Sequence, residues 1–159
     1  MKKIFILIFT FSINLIYSKE IQVNLLELYK ELHANPELSY QEYETSKKLA
    51  SLLESIGYQV TRNVGGNGVV ALLENGDGNT VMFRADMDGL PVEEKTGASY
   101  ASKNRVKNLE GEEVFTMHAC GHDVHMTVLI GVAEYLYKNK DTWQGKLLLV
   151  LEPAEEVSG

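Results

Sequence analysis

Amphipathic stretches and continuously apolar stretches alternate along the chain, and this alternation limits the fold more than any other feature. Seven segments carry the two patterns: helices are predicted over residues 21–32, 41–56 and 123–137, and strands over 58–62, 68–74, 80–85 and 146–151. Helices that alternate with apolar strands are typical of a layered sheet flanked by helices. The sequence therefore predicts an α/β domain.

The connections between these segments carry signals of their own. Asn75-Gly76-Asp77-Gly78 is a strong turn sequence, and it predicts a hairpin between strands 68–74 and 80–85. Residues 92–113 are polar and irregular, and within them Glu93-Glu94-Lys95 predicts a solvated surface. A loop of this length in a compact domain is often functional.

Two histidines near predicted helix ends receive structural interpretations. His33 lies in the last turn of the first helix, where an imidazole suits the helix dipole, so a structural role is favoured over catalysis. Asp123 is predicted to cap the third helix. The apolar stripe of that helix begins at His125, which favours a packed or supporting histidine over a direct metal ligand.

The segment 117–125 (MHACGHDVH) concentrates potential metal ligands. It contains the only cysteine and three of the four histidines of the chain. Cys120 and His122 are two residues apart, so in an extended or loop backbone their side chains leave on the same side. Thiolate sulfur and imidazole nitrogen are donors that Zn²⁺ and its first-row neighbours select. The alternative is a buried free cysteine beside ordinary histidines.

Two pairs of carboxylates follow predicted strands. Asp86 and Asp88 come after the third strand, and Glu155 and Glu156 come after the last one. Because ligands of open α/β sheets gather at the carboxyl ends of strands, one sheet edge could hold both pairs and the Cys/His segment. One glutamate of the second pair can hold a metal while the other faces the water on it. A solvated acidic turn is the alternative for each pair.

Together the three clusters describe a thiolate–imidazole–carboxylate metal site with a spare carboxylate. Such a site acidifies water and polarises a carbonyl group. A neighbouring glutamate can then take the proton of the water and pass it to a leaving nitrogen. The reaction class that this predicts is metal-assisted hydrolysis of an amide.

The composition and the N-terminal residues limit the class of protein, its partners and its location. Hydrophobic residues make up 45% of the 159 positions and charged residues 23%, as in soluble globular proteins. The net charge of −7 and the absence of a basic patch argue against nucleic acid as a partner. Residues 1–18 combine Lys2, Lys3 and an apolar stretch too short and too polar for a stable membrane span, which predicts a signal peptide and export to the periplasm or the medium. An uncleaved membrane anchor and a buried N-terminal strand are the alternatives.

Four segments together resemble one known family: 32–39 (LHANPELS), 84–91 (RADMDGLP), 117–125 (MHACGHDVH) and 153–156 (PAEE). Their order and spacing are similar to those of the M20 metallopeptidases, in the amidohydrolase branch of hippurate hydrolases, N-acyl-amino-acid amidohydrolases and plant auxin-conjugate hydrolases. The resemblance runs from about residue 24 to the last residue. It implies a layered, zinc-peptidase-like catalytic domain.

The resemblance also implies a role for each polar side chain: Cys120, His122 and Glu156 as metal ligands, Glu155 as the general base, and Asp88 as the carboxylate that orients a metal-bound group. Asp86 stands where related peptidases carry a histidine ligand. The implied cofactor is a divalent metal (Zn, Mn, Co or Ni), with two ions in the complete enzyme. The implied substrate is a small N-acyl or N-aroyl amino acid.

Members of the resembled family continue beyond Gly159 with two more metal-binding histidines and a dimerising domain. Residues 19–159 are therefore expected to form the N-terminal part of a catalytic domain, with a homodimer only in a longer form. One hypothesis is an exported amidohydrolase, and the other is a catalytically inactive metal-binding fragment with an open strand edge after Leu151. A thiol-redox or cysteine-nucleophile enzyme using Cys120 and His122 is disfavoured because the chain has no second cysteine.

Overall fold

The computed structural model describes residues 22–157 and confirms the predicted α/β class. The predicted signal peptide lies outside the described residues. Three helices and six strands follow one another in this order: α1 (Leu25–Ala34), α2 (Tyr43–Ile56), β1 (Gln59–Val64), β2 (Gly68–Asn75), β3 (Thr80–Asp86), β4 (Arg105–Lys107), β5 (Glu113–Phe115), α3 (His122–Lys138) and β6 (Gly145–Glu152). Short 3-10 helices cover Lys140–Thr142 and Glu155–Val157.

The main sheet has the strand order β1-β2-β6-β3, so the predicted hairpin between β2 and β3 is wrong. Strand β6 lies between them, antiparallel to β2 and parallel to β3. The Asn75 amide donates hydrogen bonds to the carbonyl oxygens of Lys140 and Trp143, which ties the turn to the segment before β6. A Cβ on Gly78 would stand 3.0 Å from the Cα of Gly145. The turn therefore passes over the start of β6 instead of folding β3 back onto β2.

The helices cover one face of this sheet and form the core with it. Leu49 and Leu53 of α2 and Ile130 of α3 pack against Leu149 and Leu151 of β6, and all five are almost completely buried. Strand β6 is paired with a strand on each side, and its inward-facing leucines lie under both helices. The core thus fixes where α3 lies across the sheet.

The core-facing side of helix α3 differs in part from the predicted stripe of His125, Val128, Leu129, Val132 and Leu136. His125 and Val128 are exposed, whereas Leu129 is buried as predicted, together with Met126 and Ile130. The N-cap is Gly121, in the left-handed conformation with φ +80°, and not Asp123. Apolar residues occur on most sides of this helix, so the sequence pattern does not single out the side that faces the core.

The opposite face of the sheet carries no helix from the described part of the chain. Met82, Leu148 and Leu72 form one row across it, because each is the registered neighbour of the next. Strand β3 is an outer strand, with Met82 59% and Val81 53% exposed. An open edge was predicted at the strand that ends at Leu151, but β6 is paired on both sides, and the outer strands of the described sheet are β1 and β3.

Candidate metal centre

Parallel pairing of β3 and β6 brings both acidic pairs to one edge of the sheet. Asp86 is the registered neighbour of Glu152, and the Met87 N–H extends the pairing by donating to the Glu152 carbonyl oxygen at 3.0 Å. Leu90 then forms an antiparallel bridge with Met117, which places the Cys/His segment beside the first acidic pair. The separate segments therefore meet for a reason that lies in the strand register.

His122 lies at the centre of this edge, almost completely buried. Its Nδ1–H donates to the backbone oxygen of Asp88 at 2.8 Å, so Nε2 is the ring nitrogen available to a cation. Nε2 faces three carboxylates, at 3.8 Å from Glu155 Oε2, 3.9 Å from Glu156 Oε1 and 3.9 Å from Asp86 Oδ2. A histidine that donates one ring N–H to a carbonyl and turns the other nitrogen toward acidic groups has the arrangement of a metal ligand.

Asp88 joins the segments that surround His122. Its Oδ2 accepts hydrogen bonds from the Ser39 hydroxyl at 2.6 Å and from the Glu156 N–H at 3.0 Å. Its Oδ1 lies 3.4 Å from His122 Nδ1 and has no hydrogen bond. Asp88 is 1% exposed, so its charge is held inside the protein beside the imidazole.

The second acidic pair is held in place by a buried glutamate that the sequence did not single out. Glu42 is fully buried, and its Oε1 accepts the Ala154 N–H at 2.8 Å. Ala154 has a φ of +56°, a conformation that a residue with a Cβ adopts at a cost. The hydrogen bond from its N–H to Glu42 therefore helps to set the turn that aims Glu155 and Glu156 at His122.

Cys120 is exposed, so the alternative of a buried free cysteine is wrong. Its thiol faces the carboxylate of Glu156. The hydrogen bond to Glu156 raises the pKa of the thiol, and the neighbouring charges of Glu156, Glu155 and Asp88 add to this effect. A cation at the site would act in the opposite direction, because a coordinated thiol loses its proton.

The donor set fits a divalent cation. The groups His122–Glu155–Glu156 and Asp86–His122–His125 can each offer three ligand atoms that lie within 4.8 Å of one another. Glu156 Oε1 and Asp88 Oδ1 are buried without a hydrogen bond, which is costly for a carboxylate that has no positive partner. Arg84 pairs with Asp86 at 3.0 Å and with Glu152, so its charge lies at the outer side of the cluster.

Comparisons with known proteins agree with this chemistry. The sequence pattern of Peptidase family M20/M25/M40 matches residues 82–159. Thermostable carboxypeptidase 2 of Saccharolobus solfataricus is 45% identical over 143 residues, which is 89% of this chain and 34% of that protein. The chain belongs to the M20 family.

Another M20 relative and a solved structure extend the comparison. N-acetyl-L-cysteine deacetylase of Bacillus subtilis is 39% identical over 137 residues, 86% of this chain and 31% of the relative. The YXEP protein of Bacillus subtilis, a dinuclear metal-binding peptidase of the M20 family, matches with a TM-score of 0.73 and 36% identity, over 84% of this chain and 35% of that one. The chain spans about a third of the length of the relatives that it matches.

Two other histidines of this M20 chain lie near the centre without a predicted ligand role. His125 is exposed, and its ring stacks on His122 with 5.7 Å between centroids, so the prediction that it faces the core is wrong. His118 is buried, and neither of its ring nitrogens has a hydrogen bond. Burial lowers the pKa of His118 to about 4, so its ring is neutral at physiological pH.

His33 and Glu94 form contacts that the sequence patterns did not indicate. Instead of only facing a helix dipole, His33 is buried and hydrogen-bonded to Asp123 and Glu94. The predicted solvated surface over residues 93–95 is wrong for Glu94, whose side chain is fully buried. The partners lie 61 and 90 residues away along the chain, and neither periodicity nor local spacing reports contacts at such separations.

Within residues 22–157 no helix is both long and apolar enough to cross a membrane.

Proposed function

We propose that this chain carries the metal-binding part of an M20 amidohydrolase that cleaves the amide bond of N-acyl or N-aroyl amino acids. The observation that carries the proposal is the environment of His122. Its Nδ1 is committed to the Asp88 carbonyl oxygen, and its Nε2 faces Glu155, Glu156 and Asp86 at 3.8 to 3.9 Å. An imidazole fixed in this tautomer among carboxylates is suited to share a cation with them.

Cys120, His122 and Glu156 would hold the metal in this proposal. When bound, a Zn, Mn, Co or Ni ion would polarise the amide carbonyl and acidify a water molecule. Asp88 orients this ligand set: its backbone oxygen fixes the His122 ring, and its carboxylate accepts the Glu156 N–H. A pair of ions, as in the dinuclear YXEP protein, is part of the proposal for the longer form.

Glu155 is proposed as the general base. Its side chain is 37% exposed, whereas that of Glu156 is 17% exposed, so Glu155 is the more accessible of the two to water and substrate. Its carboxylate would take a proton from the attacking water and deliver it to the amide nitrogen as that bond breaks.

The names of the relatives support the substrate class. One relative is named a deacetylase of N-acetyl-L-cysteine and another a carboxypeptidase, and both reactions break an amide next to an amino acid that carries a free carboxylate. We propose that the substrate is a small molecule of this kind and that a homodimer forms only in a longer form. Export guided by residues 1–18 is a further part of the proposal.

The test is release of free amino acid from N-acetyl and N-benzoyl amino acids by the purified, metal-supplied chain and by Glu155→Gln. Turnover that falls by about 10²- to 10⁴-fold in Glu155→Gln, with metal binding unchanged, is the expected result for a general base. Equal turnover in both proteins would contradict the role of Glu155.

A second candidate function is a metal-binding fragment without turnover. The apolar sheet face around Met82 and Leu148, uncovered in residues 22–157, favours it. Stoichiometric metal binding without any amino acid release would support this candidate. Metal-dependent release that Glu155→Gln abolishes would exclude it.

A further inference from the structure

A buried cluster of charged side chains lies beside the metal centre without forming part of its ligand set. His33 of α1 donates Nδ1–H to Asp123 Oδ2 at 2.7 Å and Nε2–H to Glu94 Oε1 at 3.0 Å. The side chains are 10%, 3% and 0% exposed for His33, Asp123 and Glu94. Water can therefore supply little of the stabilisation that these charges need.

The two contacts define the charge state of the ring. Both acceptors are carboxylate oxygens, so both ring nitrogens carry a proton and the side chain is an imidazolium. Burial acts to lower the pKa of His33, but hydrogen bonds and charges from Glu94 and Asp123 outweigh it and raise that pKa. The other titratable groups beside the ring are Tyr29 and Tyr100, with ring centroids at 5.6 and 5.3 Å.

Neighbouring groups are consistent with one positive charge at this point. Burial acts to raise the pKa of Glu94, but hydrogen bonds from Thr96, His33 and Ser102 lower it, so Glu94 is ionised. Burial raises the pKa of Tyr29, which stays neutral. His118 is neutral because burial lowers its pKa to about 4, with a further contribution from the charge of His33. His33 is thus the cation between two buried anions.

Each carboxylate anchors a different part of the structure. Glu94 accepts hydrogen bonds from the Thr96 hydroxyl and the Ser102 N–H, and so organises the loop 92–104. On the other side, Asp123 Oδ1 accepts the Val124 N–H in the first turn of α3. His33 therefore connects the loop to the helical turn that contains His122.

We propose that His33 is a positioning residue for the metal centre: by bridging Glu94 and Asp123, it holds the 92–104 loop against the first turn of α3 and fixes the direction of His122. The inference rests on the proposed metal site. Asp123 is the chain neighbour of His122, so a displaced Asp123 moves the backbone from which that imidazole leaves. Without His33, two buried carboxylates would face each other with no cation between them.

The experiment measures the dissociation constant of Co²⁺ for the full chain and for three variants. In His33→Gln the amide keeps a hydrogen-bond donor but removes the charge. In the comparison variant Glu94→Gln the imidazolium–Asp123 pair remains and Gln can still accept from Nε2–H, but its amide nitrogen cannot accept the Ser102 N–H. The double variant removes the ring and one of the two anions. A parallel NMR titration of the His33 ring in the unsubstituted chain reports its protonation without any metal.

We expect His33→Gln to weaken Co²⁺ binding about tenfold, the lower end of what partners of metal ligands contribute. Glu94→Gln should weaken binding less than His33→Gln, because the imidazolium–Asp123 pair remains and only the hydrogen bond from the Ser102 N–H is lost. The double variant should recover part of the loss, since it no longer leaves two anions unpaired. The NMR titration should show a doubly protonated His33 ring at pH 7.

Two results would overturn the inference: a neutral His33 ring at pH 7, or Co²⁺ binding by His33→Gln equal to that of the unsubstituted chain. If His33→Gln does not fold, the double variant is compared with Glu94→Gln instead, and equal dissociation constants there would overturn it as well. Failure of the unsubstituted chain to bind Co²⁺ would count against the metal site and the proposed function, and against His33 as a positioning residue for that site. The ring titration would then still report whether His33 is the cation between Glu94 and Asp123.

Discussion

At the scale of single residues, the centre combines proposed ligands that local spacing reveals with partners that only the fold brings near. Cys120 and His122 are close in sequence, and their chemistry is recognisable from residue type. Glu42 and His33 are not recognisable in this way. Their contacts with Glu94, Asp123 and Ala154 span 61 to 112 residues and are set by how helices pack on the sheet. Sequence patterns predicted the first kind of residue and missed the second.

The buried ionisable residues predict how stability depends on pH in the metal-free chain. The pKa of His33 is raised, so its contribution is complete below about pH 6.5 and is lost as pH rises through the raised value. The lowered pKa values of His118 and Glu94 affect stability at acid pH. Their contributions are complete above about pH 6.5 and pH 4.5 respectively and are lost as pH falls.

The free energy of unfolding should therefore be greatest near about pH 6.5. Urea unfolding across the pH range tests this expectation, with His33→Gln as the comparison. The decline between about pH 6.5 and pH 9 should disappear in that variant, while the decline on the acid side should remain; the raised pKa values of Cys120, Tyr29 and Tyr58 lower stability only above about pH 9. A decline of equal size in both proteins between about pH 6.5 and pH 9 would show that His33 is not its source.

At the scale of elements, the start of α3 determines the direction of its first residues. Gly121 adopts φ +80° at this point, and no atom lies within 4 Å of the position that a Cβ would occupy. The sequence predicted a helix here but placed the cap two residues late. The predicted stripe also put His125 on the core side, whereas this residue is exposed.

Gly121→Ala should lower stability by about 1 kcal/mol, the cost of a left-handed conformation for a residue with a Cβ. Gly111→Ala is the matched control, because Gly111 has φ +85° and equally open surroundings in the β4–β5 turn, away from the centre. Both variants should lose similar stability in urea unfolding, but only Gly121→Ala should also weaken Co²⁺ binding. Equal Co²⁺ binding by the two variants would show that the start of α3 does not position His122.

The strands show what periodicity can and cannot predict. Apolar runs located β2, β3 and β6 to within a few residues. Strand order did not follow from the same runs. Asn75-Gly76-Asp77-Gly78 has the sequence of a hairpin turn. Its contacts, however, are with Lys140, which precedes β6, and with Gly145, the first residue of β6.

At the scale of the whole molecule, one sheet face is apolar and lacks a helical layer within residues 22–157. Met82, Leu148 and Leu72 form a row across it, and β3 has a free edge beside it. Exposed apolar surface next to an unpaired edge strand promotes association between chains. The alternation of helices and strands predicted a sheet with helices packed on it, but not that helices would cover only one face within residues 22–157.

We expect the chain to self-associate and Met82→Lys to reduce this association, because a lysine on an edge strand opposes pairing. Val128→Lys is the control: Val128 is 57% exposed against 59% for Met82, and it lies on α3, away from this face. Sedimentation analysis at several concentrations should show a lower average mass for Met82→Lys only. The same mass for both variants would show that this face does not drive association.

The convergence of Cys120, His122 and Glu156 on one cation is tested most directly by the absorption spectrum of the Co²⁺-loaded chain. Because Cys120 is the only cysteine, a thiolate-to-cobalt charge-transfer band can arise from no other residue of this chain. We predict such a band at one equivalent of Co²⁺, its loss in Cys120→Ser, and weaker binding in His122→Ala and Glu156→Gln. A chain without the band, or with Co²⁺ binding unaffected by all three substitutions, would contradict the account.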